Sequence, residues 1–288
     1  MSFDLSGYLQ ELNEEAEEKA DELRTRYKLG IRGIKDIFQF IDQTLGYLLI
    51  RYPLGENSLQ GFAAVHTGER LIVTNSSQRL GREIFTAAHE IGHHEFDIDV
   101  ENPSIIHDEH IGKFNQDDAI EYRADCFAAH FLMPKEGIKK ALKEIGKINS
   151  EITYFDVIQL QIEFGVSYNA MVKRLFLLGF IDKAKSDELY GYYPNLGLSL
   201  TGLFNRINAD TKLIDRSNVV QVPVKYFKYL QSNYENGLIS YEVLENVLSK
   251  INKRPEELGF VYKNFSSAEK EKNIDEELDD LLGEFEEN

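Results

Sequence analysis

Residues 85–94 read Phe85-Thr86-Ala87-Ala88-His89-Glu90-Ile91-Gly92-His93-His94 and contain the pattern His-Glu-x-x-His. Residues four apart in an α-helix lie one turn apart on the same face, so His89 and His93 are expected to direct two ring nitrogens at one Zn²⁺. Glu90 then lies beside the metal, where it can act as a base on a bound water. Apolar residues recur around this pattern at helical spacing, which predicts a helix buried along a core: Ile84, Phe85, Ala88 and Ile91.

A catalytic zinc site needs a third protein ligand and an open fourth position. The best candidate for the third ligand is Glu121, which shares one stripe of a second predicted helix with Ala124, Asp125 and Ala128. The two alanines let the helices approach closely. Asp125 is placed to accept the free N–H of His89 or His93, a bond that fixes the ring of a ligand histidine.

The alternative interpretation makes Glu121 and Asp125 part of a solvated acidic face. The apolar residues of the same segment favour a largely buried helix instead: Ile120, Phe127, Phe131 and Leu132. A buried carboxylate needs a partner, and a metal ion would supply one.

The strings FTAAHEIGHHEF and EYRADCFAAHFLMP resemble the ImmA/IrrE family of metallopeptidases, whose core reads approximately FTLAHELGH and then ExxANxFAAELLMP. The resemblance covers roughly residues 8–180. It implies that His89, His93 and Glu121 bind one Zn²⁺ per chain and that Glu90 is the catalytic base. Two positions depart from the family pattern. Asp125 stands where the family usually has Asn, and His130 stands where it often has Glu.

The resemblance also implies a partner, because family members relieve repression by cleaving or disabling a helix-turn-helix transcriptional repressor of a mobile element, prophage or stress response. The formal charge of −17 repels nucleic-acid phosphates and suits a basic protein partner, so no direct binding to nucleic acid is expected. The alternative function is an acidic antirepressor that sequesters a basic regulator without cutting it.

Composition limits the cellular context. No apolar run approaches the length of a membrane span, and the first residues lack the basic and apolar regions of a signal peptide. The single cysteine excludes an internal disulfide and fits a reducing compartment, so we expect a cytoplasmic protein. Cys126 is expected to be a small buried hydrophobe, with metal binding or redox switching as the alternative.

The predicted fold class is α+β, with a small antiparallel sheet packed on the zinc-binding helix and a mainly helical C-terminal part. Three short strands are predicted at 47–52, 61–66 and 70–74, and Asn75-Ser76-Ser77 is expected to cap the zinc helix. The edge strand of such a sheet can pair with an extended substrate and present the scissile amide to the metal.

Four regions are predicted along the chain. Residues 1–150 form the metallopeptidase domain, 151–182 a helix-turn-helix-like pair packed on it, 183–265 a helical region for regulation or substrate recognition, and 266–288 an acidic tail. The helical pair could instead bind DNA through Tyr168, Asn169, Lys173 and Arg174, but few basic residues favour the packed interpretation. Residues 269–288 contain ten acidic residues and two lysines, and we expect them to be disordered in isolation.

Several smaller predictions concern the cleft. Residues 97–116 are expected to form a mobile loop beside it, with His107 and His110 as solvent-exposed residues rather than ligands of a second metal. His94 is expected to be a structural or rim residue. The donor that stabilises the developing oxyanion is not identified by the sequence, and the nearby candidates are Tyr122, Arg123 and His130.

Overall fold

A computed structural model gives the architecture and describes residues 5–66, 68–98, 105–108, 118–148 and 150–263. The chain divides into two compact units, Met1–Val220 and Gln221–Asn288. The predicted third region, 183–265, therefore spans parts of both units. The elements of the first unit, in chain order, are α1 (Leu5–Arg26), α2 (Ile37–Gln39) with a π-helical turn (Phe40–Leu45), β1 (Leu48–Tyr52), β2 (Gly61–His66), β3 (Glu69–Asn75), α3 (Leu80–Phe96), β4 (Ile105–Asp108), α4 (Ala119–Leu132), α5 (Lys135–Glu144), α6 (Tyr154–Phe164), α7 (Tyr168–Leu177), α8 (Lys183–Asn195) and α9 (Leu200–Arg206).

The sheet has the strand order β1-β3-β2-β4. The α+β class and the three predicted strands are confirmed. β2 and β3 form an antiparallel hairpin, and β4 adds to β2 antiparallel. β1 pairs with β3 in parallel. The prediction of a purely antiparallel sheet is therefore wrong for this pair. The hairpin returns β3 to a position between β1 and β2, which makes β1 and β3 run the same way.

The core of the first unit lies where α4 packs between α1 and α3. The apolar stripe of α1 is buried, with Ala16, Ala20 and Leu23 fully inaccessible. On α4, Phe127 and Phe131 are also fully buried, and their rings stack with a centroid separation of 5.3 Å. Burial of such a stripe, rather than helix propensity, stabilises these acidic helices.

The first turn of α3 is capped by a distant part of the chain. The N–H of Leu80 donates to the carbonyl of Asp215 at 2.9 Å, and that of Gly81 donates to Leu213 at 2.8 Å. We call residues 211–219 the capping segment. The predicted cap at Asn75–Ser77 is wrong, because Arg79 occupies the cap position without a side-chain bond. The side chain of Asn75 instead accepts from the backbone N–H groups of Leu54 and Ser77.

A buried ion pair joins the sheet to the same end of α3. Arg51 on β1 donates to both carboxylate oxygens of Glu83, at 2.8 and 2.9 Å. Thr74 and Ser217 donate hydroxyl hydrogen bonds to the same carboxylate. The guanidinium carbon of Arg51 also lies 3.6 Å from the ring centroid of Phe38. A bidentate, fully hydrogen-bonded pair tolerates this burial and fixes the angle between sheet and helix.

The predicted helical pair is present as α6 and α7, with Gly165 in the left-handed conformation between them (φ 69°). In the second unit, α10 (Val224–Glu235) and α11 (Tyr241–Ser249) form a further helical pair and are followed by a 3-10 turn (Pro255–Leu258). Leu230, Tyr234, Leu244 and Leu248 form its core. The acidic tail, 266–288, lies outside the described residues. In the described part of the chain, no helix is both long and apolar enough to cross a membrane.

Candidate metal centre

The two metal-site helices approach closely because small residues lie between them. Gly92 on α3 faces α4, and a Cβ atom built there would lie 3.3 Å from the Cα of Ala124 and 3.1 Å from the ring of Phe127. His89, Glu90 and His93 are fully buried by this packing. Glu121, one turn before Asp125 on α4, is partly exposed at the opening of the site, with 18% of its side chain accessible.

The structure brings together the donor atoms of His89, His93 and Glu121. The Nε2 atoms of the two histidines are 2.9 Å apart. Glu121 places one oxygen 3.1 Å from His89 Nε2 and the other 3.4 Å from His93 Nε2. Ligands at 2.0–2.1 Å from a tetrahedral zinc ion are separated by about 3.3 Å. The observed separations lie within about 0.4 Å of this value, so the three side chains fit a zinc ion with only a small adjustment, and they could equally hold another divalent metal of similar size.

Each histidine ring is oriented by a carboxylate on its other nitrogen. His89 Nδ1 lies 3.0 Å from Asp125 Oδ1, which is the contact expected for Asp125. His93 Nδ1 lies 3.0 Å from Asp97 Oδ2. In the neutral ring each Nδ1–H donates to its carboxylate, which leaves Nε2 with a lone pair directed at the site.

Asp97 is a site residue that the sequence interpretation missed. Arg123 fixes it in turn, donating to Asp97 Oδ1 at 2.5 Å while its guanidinium packs 4.6 Å from the ring centroid of Phe96. A signal was available in the sequence, because Asp97 follows His93 by the same four residues that separate His93 from His89. All three positions lie on one stripe of the helix.

The carboxylates dominate the electrostatics of the site. Burial alone lowers the pKa of His89, but hydrogen bonds with Asp125 and Glu121 outweigh it and raise this pKa to about 10. The pKa of His93 is also raised, because Asp97 and Glu121 outweigh its burial. The site thus attracts positive charge strongly. A metal cation competes with protons for the same nitrogens, so metal affinity falls as the pH falls.

Glu90 lies between the metal-site histidines and the sheet. Its carboxylate faces the start of β2, where a Cβ atom built on Gly61 would lie 2.8 Å from Glu90 Oε1 and 2.5 Å from Thr86 Cγ2. Gly61 therefore permits a close approach of strand and helix that any larger residue would prevent. The sequence interpretation placed Gly61 in a strand but attached no functional meaning to it.

The structure separates two of the three oxyanion candidates from the site. Arg123 is bound to Asp97, and His130 lies between α1 and α7. There His130 Nε2 contacts Asn13 Oδ1 at 3.1 Å, and its Nδ1 accepts from Arg174 at 3.0 Å. Tyr122 is half-buried, and burial, together with the neighbouring Cys126, raises its pKa to about 12.

His94 and Cys126 are buried residues with structural environments. His94 donates from Nε2 to the carbonyl of Leu71 on β3, and burial lowers its pKa to about 4, so it is a structural residue. Cys126 is buried, and its burial raises the thiol pKa to about 12, which leaves it unreactive. His107 lies on β4 within the segment predicted as a loop, whereas His110 lies outside the described residues.

Two of the four candidate DNA-reading residues of α7, Tyr168 and Arg174, face inward, whereas Asn169 is exposed and Lys173 is half-buried. Tyr168 is fully buried and Arg174 is 4% exposed. Arg174 donates to the carbonyl of Met133 at 3.0 Å and to His130, so it links α7 to the end of α4. Neither of these two side chains is available to contact DNA, and the hydrogen bonds of Arg174 hold α7 against the end of α4.

The comparisons with known proteins give a similar solved structure and a matching family model. A solved structure described as a Mycobacterium tuberculosis transcriptional regulator is similar with a TM-score of 0.40 and 15% identity, over 60% of this chain and 50% of that chain. This chain thus spans half the length of that protein. A search of curated proteins gives no match. Residues 42–176, which include the donor residues of both helices, match the Peptidase_M78 family model, described as the IrrE N-terminal-like domain. The match of these residues to the family model confirms the resemblance of this part of the chain to the ImmA/IrrE metallopeptidases.

Proposed function

We propose that this protein is a zinc-dependent endopeptidase. The observation that carries the proposal is the convergence of three donor atoms from His89, His93 and Glu121 beside the buried carboxylate of Glu90. The carboxylates on both histidine Nδ1 atoms support it, since ligand histidines in metal sites are commonly held in this way. The match of residues 42–176 to a metallopeptidase family model supports the same reaction class.

The roles of the chain's own groups follow from their positions. When bound, zinc supplies a Lewis acid that polarises the scissile carbonyl and lowers the pKa of water to about 7. Asp97 and Asp125 hold the two rings so that both Nε2 atoms face the same point. Glu90 takes the proton from the attacking water and passes it to the leaving amine, acting first as base and then as acid.

The proposed substrate is a basic helix-turn-helix repressor in the cytoplasm. The formal charge of −17 supports a basic partner, because opposite net charges raise the rate of encounter at modest salt. The family resemblance supports repressor cleavage as the biological role. A non-cleaving antirepressor would use the same charge without needing Glu90.

Co-expression with the helix-turn-helix regulator encoded nearest to the gene tests the proposal. Wild type and Glu90→Gln are compared by intact-mass spectrometry of the regulator. We expect two defined fragments with wild type, an intact regulator with the variant, and equal zinc content in both proteins. Glu95→Gln is the matched control, since it removes the same charge from the same helix without touching the centre.

Two outcomes would contradict the endopeptidase. Cleavage by Glu90→Gln would remove Glu90 as the base. An intact regulator that co-purifies with wild type and variant alike, and whose DNA binding is lost with both, would favour the antirepressor.

A further inference from the structure

The strand β2 is the part of the sheet that lies beside Glu90. The missing side chain of Gly61 brings the first residue of this strand against the Glu90 carboxylate. An extended peptide that adds to a sheet edge forms main-chain hydrogen bonds with the edge strand. To bring one of its peptide bonds near Glu90, such a peptide would have to pair with β2 around Gly61.

That edge of β2 is already taken by the chain itself. β4 pairs with β2 antiparallel over four positions, with Asp108 opposite Gly61 and Ile105 opposite Ala64. The other edge of β2 is occupied by β3. Among the described residues, β2 is therefore an interior strand of the sheet, and its pairing groups beside Glu90 are used by β4.

We infer that β4 is an internal blocking strand, which occupies the position of an extended substrate along β2 and must be displaced before a substrate can bind. The inference rests on the proposed endopeptidase function and names a control of its site. β4 belongs to the connection between α3 and α4, the two helices that carry the metal-site donors. Displacement of β4 would therefore act on the connection between the donors themselves.

The energetics suit an exchange of strands. A substrate that replaces β4 forms the same kind of backbone hydrogen bonds that it breaks, so the backbone contribution nearly cancels. β4 has four residues, which is short for a strand. A longer substrate segment gains additional pairing beyond these four residues, so a specific extended substrate can displace β4 whereas a short peptide cannot.

Hydrogen exchange tests whether β4 protects β2. Ile106→Pro removes an N–H and disfavours strand pairing, whereas Ile106→Thr keeps the N–H and a β-branched side chain and serves as the matched control. Amides along β2 alternate between those facing β3 and those facing β4. We expect the β4-facing amides of residues 61–64 to exchange at least tenfold faster in the proline variant only. Equal exchange in both variants and wild type would overturn the inference, whether or not the protein is a peptidase.

A reversible cross-link tests whether β4 blocks the substrate position. Two cysteine pairs, Ala63→Cys/Ile106→Cys and Phe62→Cys/His107→Cys, lie at adjacent positions of the register, so one of them has the shorter Cα separation that favours a disulfide. Both are made with Cys126→Ser. Two probes are applied to the zinc-loaded protein. The first is a fluorescent extended decapeptide that ends in a hydroxamate. The second is acetohydroxamate, whose binding needs the metal but not the sheet edge.

We expect the oxidised pair to weaken decapeptide binding at least tenfold and reduction to restore it, with acetohydroxamate binding unchanged. Equal decapeptide affinity before and after reduction would overturn the blocking role. Failure of acetohydroxamate to bind wild type would contradict the proposed metal function separately, and the exchange experiment would still decide the strand pairing.

Discussion

Asp97 and Asp125 each orient the ring of one metal-site histidine through its Nδ1 atom. They act on the site through these rings and are not ligands themselves. Their loss is expected to leave the three donors in place but to free the rings to rotate. Asp97→Asn and Asp125→Asn should each weaken zinc binding by about 10- to 100-fold. Competition with a chromogenic chelator measures this. Asp187→Asn, at an exposed position on α8, controls for the loss of one acidic group. Unchanged zinc affinity in both site variants would contradict the ring-orienting role of Asp97 and Asp125.

His130 is held neutral by its neighbours. Arg174 donates to Nδ1, so the ring proton lies on Nε2 and faces Asn13, while Glu17 Oε1 lies 3.7 Å from Nδ1. Burial and the charge of Arg174 lower the pKa of His130 to about 3. The unfolded chain takes up a proton near pH 6.5, whereas the folded protein does not. The contribution of His130 to stability is therefore complete above pH 6.5 and decreases as the pH falls below it.

This difference predicts acid sensitivity. Between pH 7.5 and pH 5, wild type should lose about 2 kcal/mol more unfolding free energy than His130→Gln, which has no titrating ring. Urea unfolding at the two pH values measures both losses. The variant is expected to be less stable at pH 7.5, because it loses the bond from Arg174, so the comparison is between slopes and not absolute values. Equal losses of unfolding free energy in wild type and variant would mean that the pKa of His130 does not differ between the folded and unfolded protein.

The sequence predicts residues of the site where spacing carries information. His89, Glu90 and His93 follow from one motif, and Glu121 and Asp125 from the stripe of a second helix. Asp97 was missed although its spacing is equally regular. The partners of His130 could not be foreseen, since Asn13 and Arg174 reach it from helices that are remote in the sequence.

At the scale of elements, the approach of β2 to α3 depends on one glycine. A methyl group at Gly61 would meet Thr86, Glu90 and the carbonyl of Val73 at 2.9 Å or less. Gly61→Ala should cost about 1–3 kcal/mol of stability, as overpacking does, and displace the Glu90 carboxylate. We expect regulator cleavage to fall more than zinc binding. Adding Thr86→Ser removes the nearest methyl and should restore part of the stability, as thermal unfolding would show.

Strand and helix positions were largely predictable, but their arrangement was not. β1, β2 and β3 follow from apolar runs between turns. Their order in the sheet was not predictable, because no local sequence pattern indicates that β3 lies between β1 and β2. The sequence predicts a loop at β4 because its residues lie between Pro103 and Gly112 in a polar stretch, where the strand signal is limited to the pair Ile105 and Ile106.

At the scale of the whole molecule, the capping segment and the second unit are expected to make separable contributions. A chain ending at Val220 retains the whole first unit and should bind zinc with the affinity of the full chain. A chain ending at Asn208 lacks the carbonyls of Leu213 and Asp215 and the hydroxyl of Ser217, which all bind the first turns of α3. Each lost hydrogen bond costs about 0.5–1.5 kcal/mol, so the melting temperature should fall by about 3 °C or more.

Thermal unfolding and zinc titration of both shortened chains provide the test. Equal stability of the two would mean that residues 209–220 do not support α3. The sequence could not predict this support, because the groups that accept from Leu80 and Gly81 are main-chain carbonyls. Every residue carries such a carbonyl, so this contact leaves no pattern in the side chains.

The capping of α3 has a consequence for the order in which the protein is made. Glu83 and Ser217 are 134 residues apart, so the first turns of the helix are translated well before the segment that caps them. At synthesis rates of about 5–20 residues per second, this interval lasts roughly 7–27 s. Once Glu121 has been translated, the nascent polypeptide contains all three donors but still lacks the groups that complete the start of the histidine helix. The donor residues of the metal site are thus synthesised before the capping segment of their helix. Maturation of the centre is therefore delayed until the first unit has been fully synthesised.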